Sequence, residues 1–172
     1  LDTFSVVWAA NVGISVAHGQ LVTGRAATEE NLEPLTWALY QQGLAHSSVE
    51  YLGALAVLQA FSRGVVALWS DLDVLVTPAL AKRPVRIGDI DTCGDDPMRE
   101  FRKAGEFTPY TAAINVTGQP AISLPLFHGE DGLPLGVQLV GPPAGEGLLL
   151  ALASELEQAR PWADRVPPDP VP

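Results

Sequence analysis

Few side chains in this chain have the type and spacing that nucleophilic or acid–base chemistry would need. Residues 13–17, Gly-Ile-Ser-Val-Ala, with His18 directly after them, come near the Gly-x-Ser-x-Gly turn that lifts a nucleophilic serine above a sheet. The last glycine is missing. Such a turn also needs a strand before it, a helix after it, and acid and histidine partners further along, whereas His128 falls in a turn-like stretch. Ser15 therefore reads as part of a small-residue helix or loop. Ser47 and Ser48 are adjacent but lack flanking glycines, and Ser47 with Glu50 has the Ser-x-x-Glu spacing of a helix capping box. Lys82 and Lys103 sit among prolines or charges, where a lysine stays solvated and makes a poor general base. His18, His46 and His128 are far apart with no i,i+4 pair, so no metal ligands are assigned and no metal or other cofactor is expected. By this reading the chain holds no catalytic residue.

Amide side chains offer a second kind of chemistry, because one amide both donates and accepts, which is what recognising another amide requires. Asn115 and Gln119 lie in the run 107–125, FTPYTAAINVTGQPAISLP. Turn chemistry accounts for most of that run. Asn115 and Thr117 bond nearby backbone, Gly118 permits a tight bend, and Pro120 opens the next segment, so a rigid turn feeding a buried strand is predicted.

The elements that would position these groups can be read from patterning. Residues 28–42 open with acidic side chains and stop at Gly43, predicting a helix. A second helix should run over 47–69; its middle, ALAVLQAF, is apolar nearly all round, the pattern of a central helix buried on every side. Residues 73–78 form a β-branched run ended by proline, a buried strand, and 79–106 read as loop with a short helix near 99–104. Two apolar strands, 121–127 and 135–140, flank Gly129 and Gly132 and predict an antiparallel hairpin. An amphipathic helix over 145–159 comes last. The sum is an α/β fold with a mixed β-sheet covered by helices, one domain over 1–160, and a proline-rich extended tail over 161–172.

Twenty acidic against ten basic side chains give a formal charge of -10, which repels phosphate backbones and anionic lipid, so neither nucleic acid nor membrane is expected as a partner. The single cysteine, Cys93, cannot form an internal disulfide, and no basic segment followed by an apolar run opens the chain; a cytoplasmic location is expected. The chain begins with Leu1 and leads straight into an apolar run, as a fragment would.

The run 107–125 resembles the carboxy-terminal signature of the amidase-signature family, with its FT, N-x-TG-x-PA and a strand ending in proline. Residues 132–141, GLPLGVQLVG, resemble the family's GLP-x-G-x-Q-x-x-G segment, residues 73–78 its DVLLTP strand, and Glu146 with residues 148–157 its E-x-x-LL-x-LA-x-x-LE helix. Four matches in the family's order span about 73–162, while residues 1–72 match only loosely. The resemblance implies the carboxy-terminal half of an amidase that uses a serine nucleophile, a second serine and a lysine base, the serines lying in a Gly-Ser-Ser-Gly-rich loop that does not occur in this sequence. It implies a small-molecule amide substrate, a missing amino-terminal half as partner, and a pocket wall to which Trp8, Asn11, Asn115 and Gln119 are the candidate contributors. An apolar helix left uncovered would favour a homodimer. Two other readings remain open at this point: a non-catalytic scaffold or binding module derived from the same fold, and the amidase subunit of a tRNA-dependent amidotransferase.

Overall fold

Residues 2–166 are described by a computed structural model. The chain divides into two compact units, each built from two stretches of sequence: Leu1–Gly64 with Val85–Phe107, and Val65–Pro84 with Thr108–Pro172.

The first unit is helical. Helix α1 (Asp2–Thr23) has no marked apolar face, and its polar side chains bond back into their own helix: Asn11 Nδ2 donates to the Val7 carbonyl at 2.8 Å, Ser15 Oγ to Asn11 O at 2.8 Å and Thr23 Oγ1 to Gly19 O at 2.7 Å. It packs on α2 (Pro34–Ala45) where Ala9 is fully buried, and a methyl group added at Gly43 would collide with the Ala9 carbonyl. Helix α2 starts at Pro34 and not at the acidic residues near 28 as expected. Proline fits the first helical position and forces Glu33 before it into extended backbone. Residues 29–32 turn instead, held by Asn31, which accepts from the Thr28 N–H and donates to Ala26 O, both at 2.9 Å.

Helix α3 (Ser48–Ala67) is capped by Ser47 as its spacing foretold and ends in one 3₁₀ turn, Leu68–Ser70; its last residues belong to the second unit. The expected burial on all sides is not found. Ala54 alone among its residues is buried, while Val49, Leu52, Val57 and Phe61 are exposed, so the all-round apolar pattern of this helix does not translate into burial among the described residues. Helix α4 (Pro97–Phe107) is longer than the short helix expected near 99–104, because Asp96 caps it by accepting from the Arg99 N–H at 2.9 Å.

The second unit is a three-stranded sheet with two helices. Strands β1 (Leu75–Pro78), β2 (Ala121–His128) and β3 (Pro134–Val140) lie in the order β1-β3-β2. Both pairings are antiparallel, so the mixed pairing expected of the sheet is not seen among the described strands. The hairpin is as expected. Gly132, at φ 77°, takes the left-handed conformation its turn requires, and Gly129 N–H donates to Leu133 O at 2.9 Å. Pairing is irregular between Leu124 and Phe127, next to Pro125, which has no N–H to offer. Leu124, Leu126 and Leu139 join Leu149 and Ala153 of α6 (Glu146–Ala159) in the core, with Trp162 packed against it. Of the predicted tail, 161–166 contain a turn closed by Arg165 N–H on Trp162 O, and 167–172 lie outside the described residues.

The run around Asn115 departs most from expectation. Residues expected to form a turn make helix α5 (Pro109–Thr117). Pro109 opens it, and Gly118, at φ 74°, closes it in the left-handed conformation while donating to Ile114 O at 2.9 Å.

Candidate substrate-binding pockets

Each unit holds one cavity of interest, and the four candidate residues divide between them. Trp8 and Asn11 line a pocket of about 650 Å³ between α1 and the segment leading into α2. Much of its polar lining is already committed. Besides the bonds of Asn11, Ser15 and Thr23 within α1, Gln20 Oε1 accepts from the Ala27 N–H at 2.8 Å and its Nε2 donates to the Tyr40 hydroxyl at 3.4 Å, while Asn31 holds its own turn. What remains is a mostly apolar surface with Trp8 on one side, its ring tilted against Phe4 at 5.4 Å and Phe101 at 6.4 Å between centroids, and with the Arg25 side chain among its walls. Such a cavity suits the apolar body of a small molecule. Gln20 and Arg25 are not singled out by sequence, because a helix without an apolar stripe gives no reason to place them beside Trp8.

Asn115 and Gln119 line the second pocket, about 360 Å³, at the end of α5 and the start of β2. No ionisable side chain lines it. Gln119 is 6% exposed; its Oε1 accepts a close hydrogen bond from the Thr117 hydroxyl, and its Nε2 is buried with no partner. Gln138, 5% exposed on β3, stands in the same wall and donates from Nε2 to Thr77 Oγ1 of β1 at 3.1 Å. Gln138 is legible as the glutamine of the GLP-x-G-x-Q segment but carries no role there.

The nucleophile patterns of the sequence are not assembled. Ser15 lies in the middle of α1 with its hydroxyl spent on Asn11 O, and His18 comes next on the same helix. His128 ends β2 and meets Arg165, whose Nη1 is 2.7 Å from Nδ1. Lys103 Nζ donates to the Asp89 carbonyl and lies 3.3 Å from Glu100, and Lys82 is exposed. Among the described residues no three His, Cys, Asp or Glu side chains stand together as metal ligands would.

Comparison with known proteins places this architecture. The profile of the family described as Amidase matches residues 5–150. AmiB2 of Mycobacterium tuberculosis is 38% identical over 141 residues, 82% of this chain and 30% of that protein. The 6-aminohexanoate-cyclic-dimer hydrolase of Paenarthrobacter ureafaciens is 30% identical over 156 residues, 87% of this chain and 31% of that enzyme. A solved structure of 6-aminohexanoate cyclic dimer hydrolase with its substrate superposes with a TM-score of 0.84 at 26% identity, covering 97% of this chain and 36% of that one. The chain thus spans about a third of the length of the curated relatives it matches. With the ordered motifs from β1 to α6 and this profile match across most of its length, the chain belongs to the amidase-signature family.

Proposed function

We propose that this chain is the carboxy-terminal part of an amide hydrolase and that it contributes sheet scaffold and pocket wall, with no amide cleavage of its own. The observation that carries this reading is where the hydroxyls and amines go. Ser15, Ser62 and Ser70 each donate to a carbonyl three or four residues back, Ser47 caps α3, and Lys103 is held by Asp89 and Glu100. None forms a serine–lysine pair of the kind that activates a nucleophile. The reaction would use a serine attacking the carboxamide, with a second serine and a lysine relaying protons, all supplied by the amino-terminal part. Within its own unit, each pocket is a candidate contact surface for substrate: Trp8 and Asn11 in the first, Asn115 and Gln119 in the second.

Ammonia release from a panel of aliphatic and aromatic amides tests the reading. It should be followed for this chain alone, for the full-length parent, and for the chain mixed with a separately expressed amino-terminal part. Turnover is expected only in the last two. Turnover by the chain alone overturns it and directs attention to Ser15 and His18; under the present reading, alanine at either position leaves the rate of the reassembled enzyme within about threefold, since losing a true nucleophile costs several orders of magnitude.

A further inference from the structure

We infer that the pocket along α1 holds a linear monocarboxylate, its carboxylate at Arg25 and its uncharged apolar body lying toward Trp8. This goes beyond the amide-hydrolase reading: it concerns binding alone and stands on its own observations, whether or not the parent cleaves an amide. The pocket is a slot. Its α1 lining includes Trp8, Val12, Val16, Gln20 and Thr23, three or four residues apart, so it follows one stripe of the helix. From Trp8 to Thr23 that stripe runs about 22 Å, at about 1.5 Å per residue. A body lying lengthwise meets Trp8 at one end, and Arg25 stands at the other.

Local backbone chemistry puts Arg25 there. Gly24, at φ 66°, ends the helix in the left-handed conformation with its N–H donating to Gln20 O at 2.9 Å, and the Arg25 N–H donates to Thr23 Oγ1 at 3.3 Å. Gln20 Oε1 then accepts from the Ala27 N–H at 2.8 Å, which ties residues 25–27 to the pocket wall. Arg25 is the only charged residue in that wall. It is exposed, and among the described residues its side chain has no carboxylate partner, in a chain with twenty acidic side chains against ten basic. Asn11, Ser15, Thr23 and Asn31 are bonded to backbone, and Gln20 to Ala27 and Tyr40, so the guanidinium is the main donor left for a ligand. Its N–H groups donate and never accept, and their planar fork fits a carboxylate. The carbonyls that end α1 carry partial negative charge and would by themselves repel a carboxylate, so the choice of head rests on Arg25. A second acidic group on the ligand would find no cation in the lining, and a peptide backbone would find few free partners along the slot.

The test is a titration of the full chain, isotopically labelled with ¹⁵N, with 4-phenylbutanoate, 4-phenylbutanamide and 4-phenylbutylammonium, three heads on one body. It is read on the Gln20 side-chain NH₂ and Ala27 N–H signals. The carboxylate should shift both and bind at least about tenfold more tightly than either analogue. Arg25 is exposed, so replacing it should leave the fold intact. Arg25→Gln should bring the three heads within about twofold of one another, and Arg25→Glu should favour the ammonium. Lengthening the body to 8-phenyloctanoate should tighten binding at least about tenfold and bring the Trp8 indole N–H signal into the response. Equal binding of the three heads, silent Gln20 and Ala27 signals, or unchanged selectivity in Arg25→Gln overturns the inference and leaves Arg25 as a complement to the negative end of α1. Binding on the exposed face of α3 would follow body length without regard to Arg25, so it overturns the inference too. The full-length parent separates the two readings. Selective carboxylate binding with no turnover of any amide spares this site and sinks the hydrolase, whereas amide turnover with equal binding of the three heads does the reverse.

Discussion

Ser47 and Glu50 satisfy each other's free backbone groups: Glu50 Oε2 accepts from the Ser47 N–H at 2.7 Å, and the Glu50 N–H donates to Ser47 Oγ at 3.2 Å. This reciprocal cap starts α3 and holds the Glu50 carboxyl below its ordinary value, chiefly through the Ser47 backbone bond. Ser47→Ala should lower stability by about 1 kcal/mol, measured by urea denaturation. Ser47→Asp should restore most of it, because aspartate also caps.

The uncovered apolar surface of α3 predicts association. Ser48–Ser70 is long and apolar enough to cross a membrane by length and composition, and the same composition suits a helix enclosed by other protein. We expect the chain alone to self-associate and to bind a hydrophobic dye, and the amino-terminal part to suppress both. Sedimentation of the triple variant Leu52→Gln, Val57→Gln and Phe61→Gln should show mostly monomer. A wild-type chain that is monomeric and ignores the dye counts against a missing cover.

Arg83 pairs with Asp131 across the β2–β3 turn, and Asp131 Oδ1 also accepts from the Leu133 N–H at 3.0 Å. The Arg83 bond, then the backbone bond, hold the Asp131 carboxyl below its ordinary value of 3.8. A depressed carboxylate contributes stability above the unfolded value and loses it as pH falls through the folded one. Wild type should therefore be slightly more stable than Asp131→Asn at neutral pH, and the gap should close as pH falls below 3.8. Both side chains are about half exposed, so salt should shrink the gap as well. A gap that persists in strong acid assigns the effect to something other than this pair.

Leu139 is 2% exposed near the end of β3, the middle strand of the sheet, within the cluster formed by Leu124, Leu126, Leu149 and Ala153. Leu139→Ala should cost about 3 kcal/mol, and Leu139→Ile about 1 kcal/mol, by denaturant midpoint. Exposed Leu133 in the turn should tolerate alanine with little change.

Legibility tracks how local the deciding forces are. The α3 cap, the hairpin and α6 each depend on residues within about ten positions of one another, so Ser47 with Glu50, the Gly129–Gly132 link and the leucine spacing of 148–156 announce them. Helix α5 reads as a turn when Asn115 and Thr117 are given weight as turn residues, whereas Pro109 and Gly118 fit a helix start and stop. The acidic residues Glu29 and Glu30 suggest a helix start that proline places at Pro34. Trp8 and Asn11 share a pocket, as do Asn115 and Gln119, but the unpaired Gln119 amide depends on how Thr117 packs beside it, which no spacing reveals. The exposure of α3 is illegible for another reason: hydrophobicity tells that a helix wants cover, not which chain segment supplies it.

The sheet order β1-β3-β2 bears on the sequence of events during folding. Strands β2 and β3 are separated by a short link and can pair as soon as both have emerged, within microseconds for an isolated hairpin. Strand β1 pairs with the other edge of β3, Leu75 opposite Val140, so closing that ladder brings together residues with two helices and a long loop between them. Chain entropy makes the second closure costlier by about 2 kcal/mol, growing with the logarithm of loop length. The hairpin should therefore act as the template on which β1 later docks, so that changes at Gly132 slow folding while changes at Val76 mainly speed unfolding.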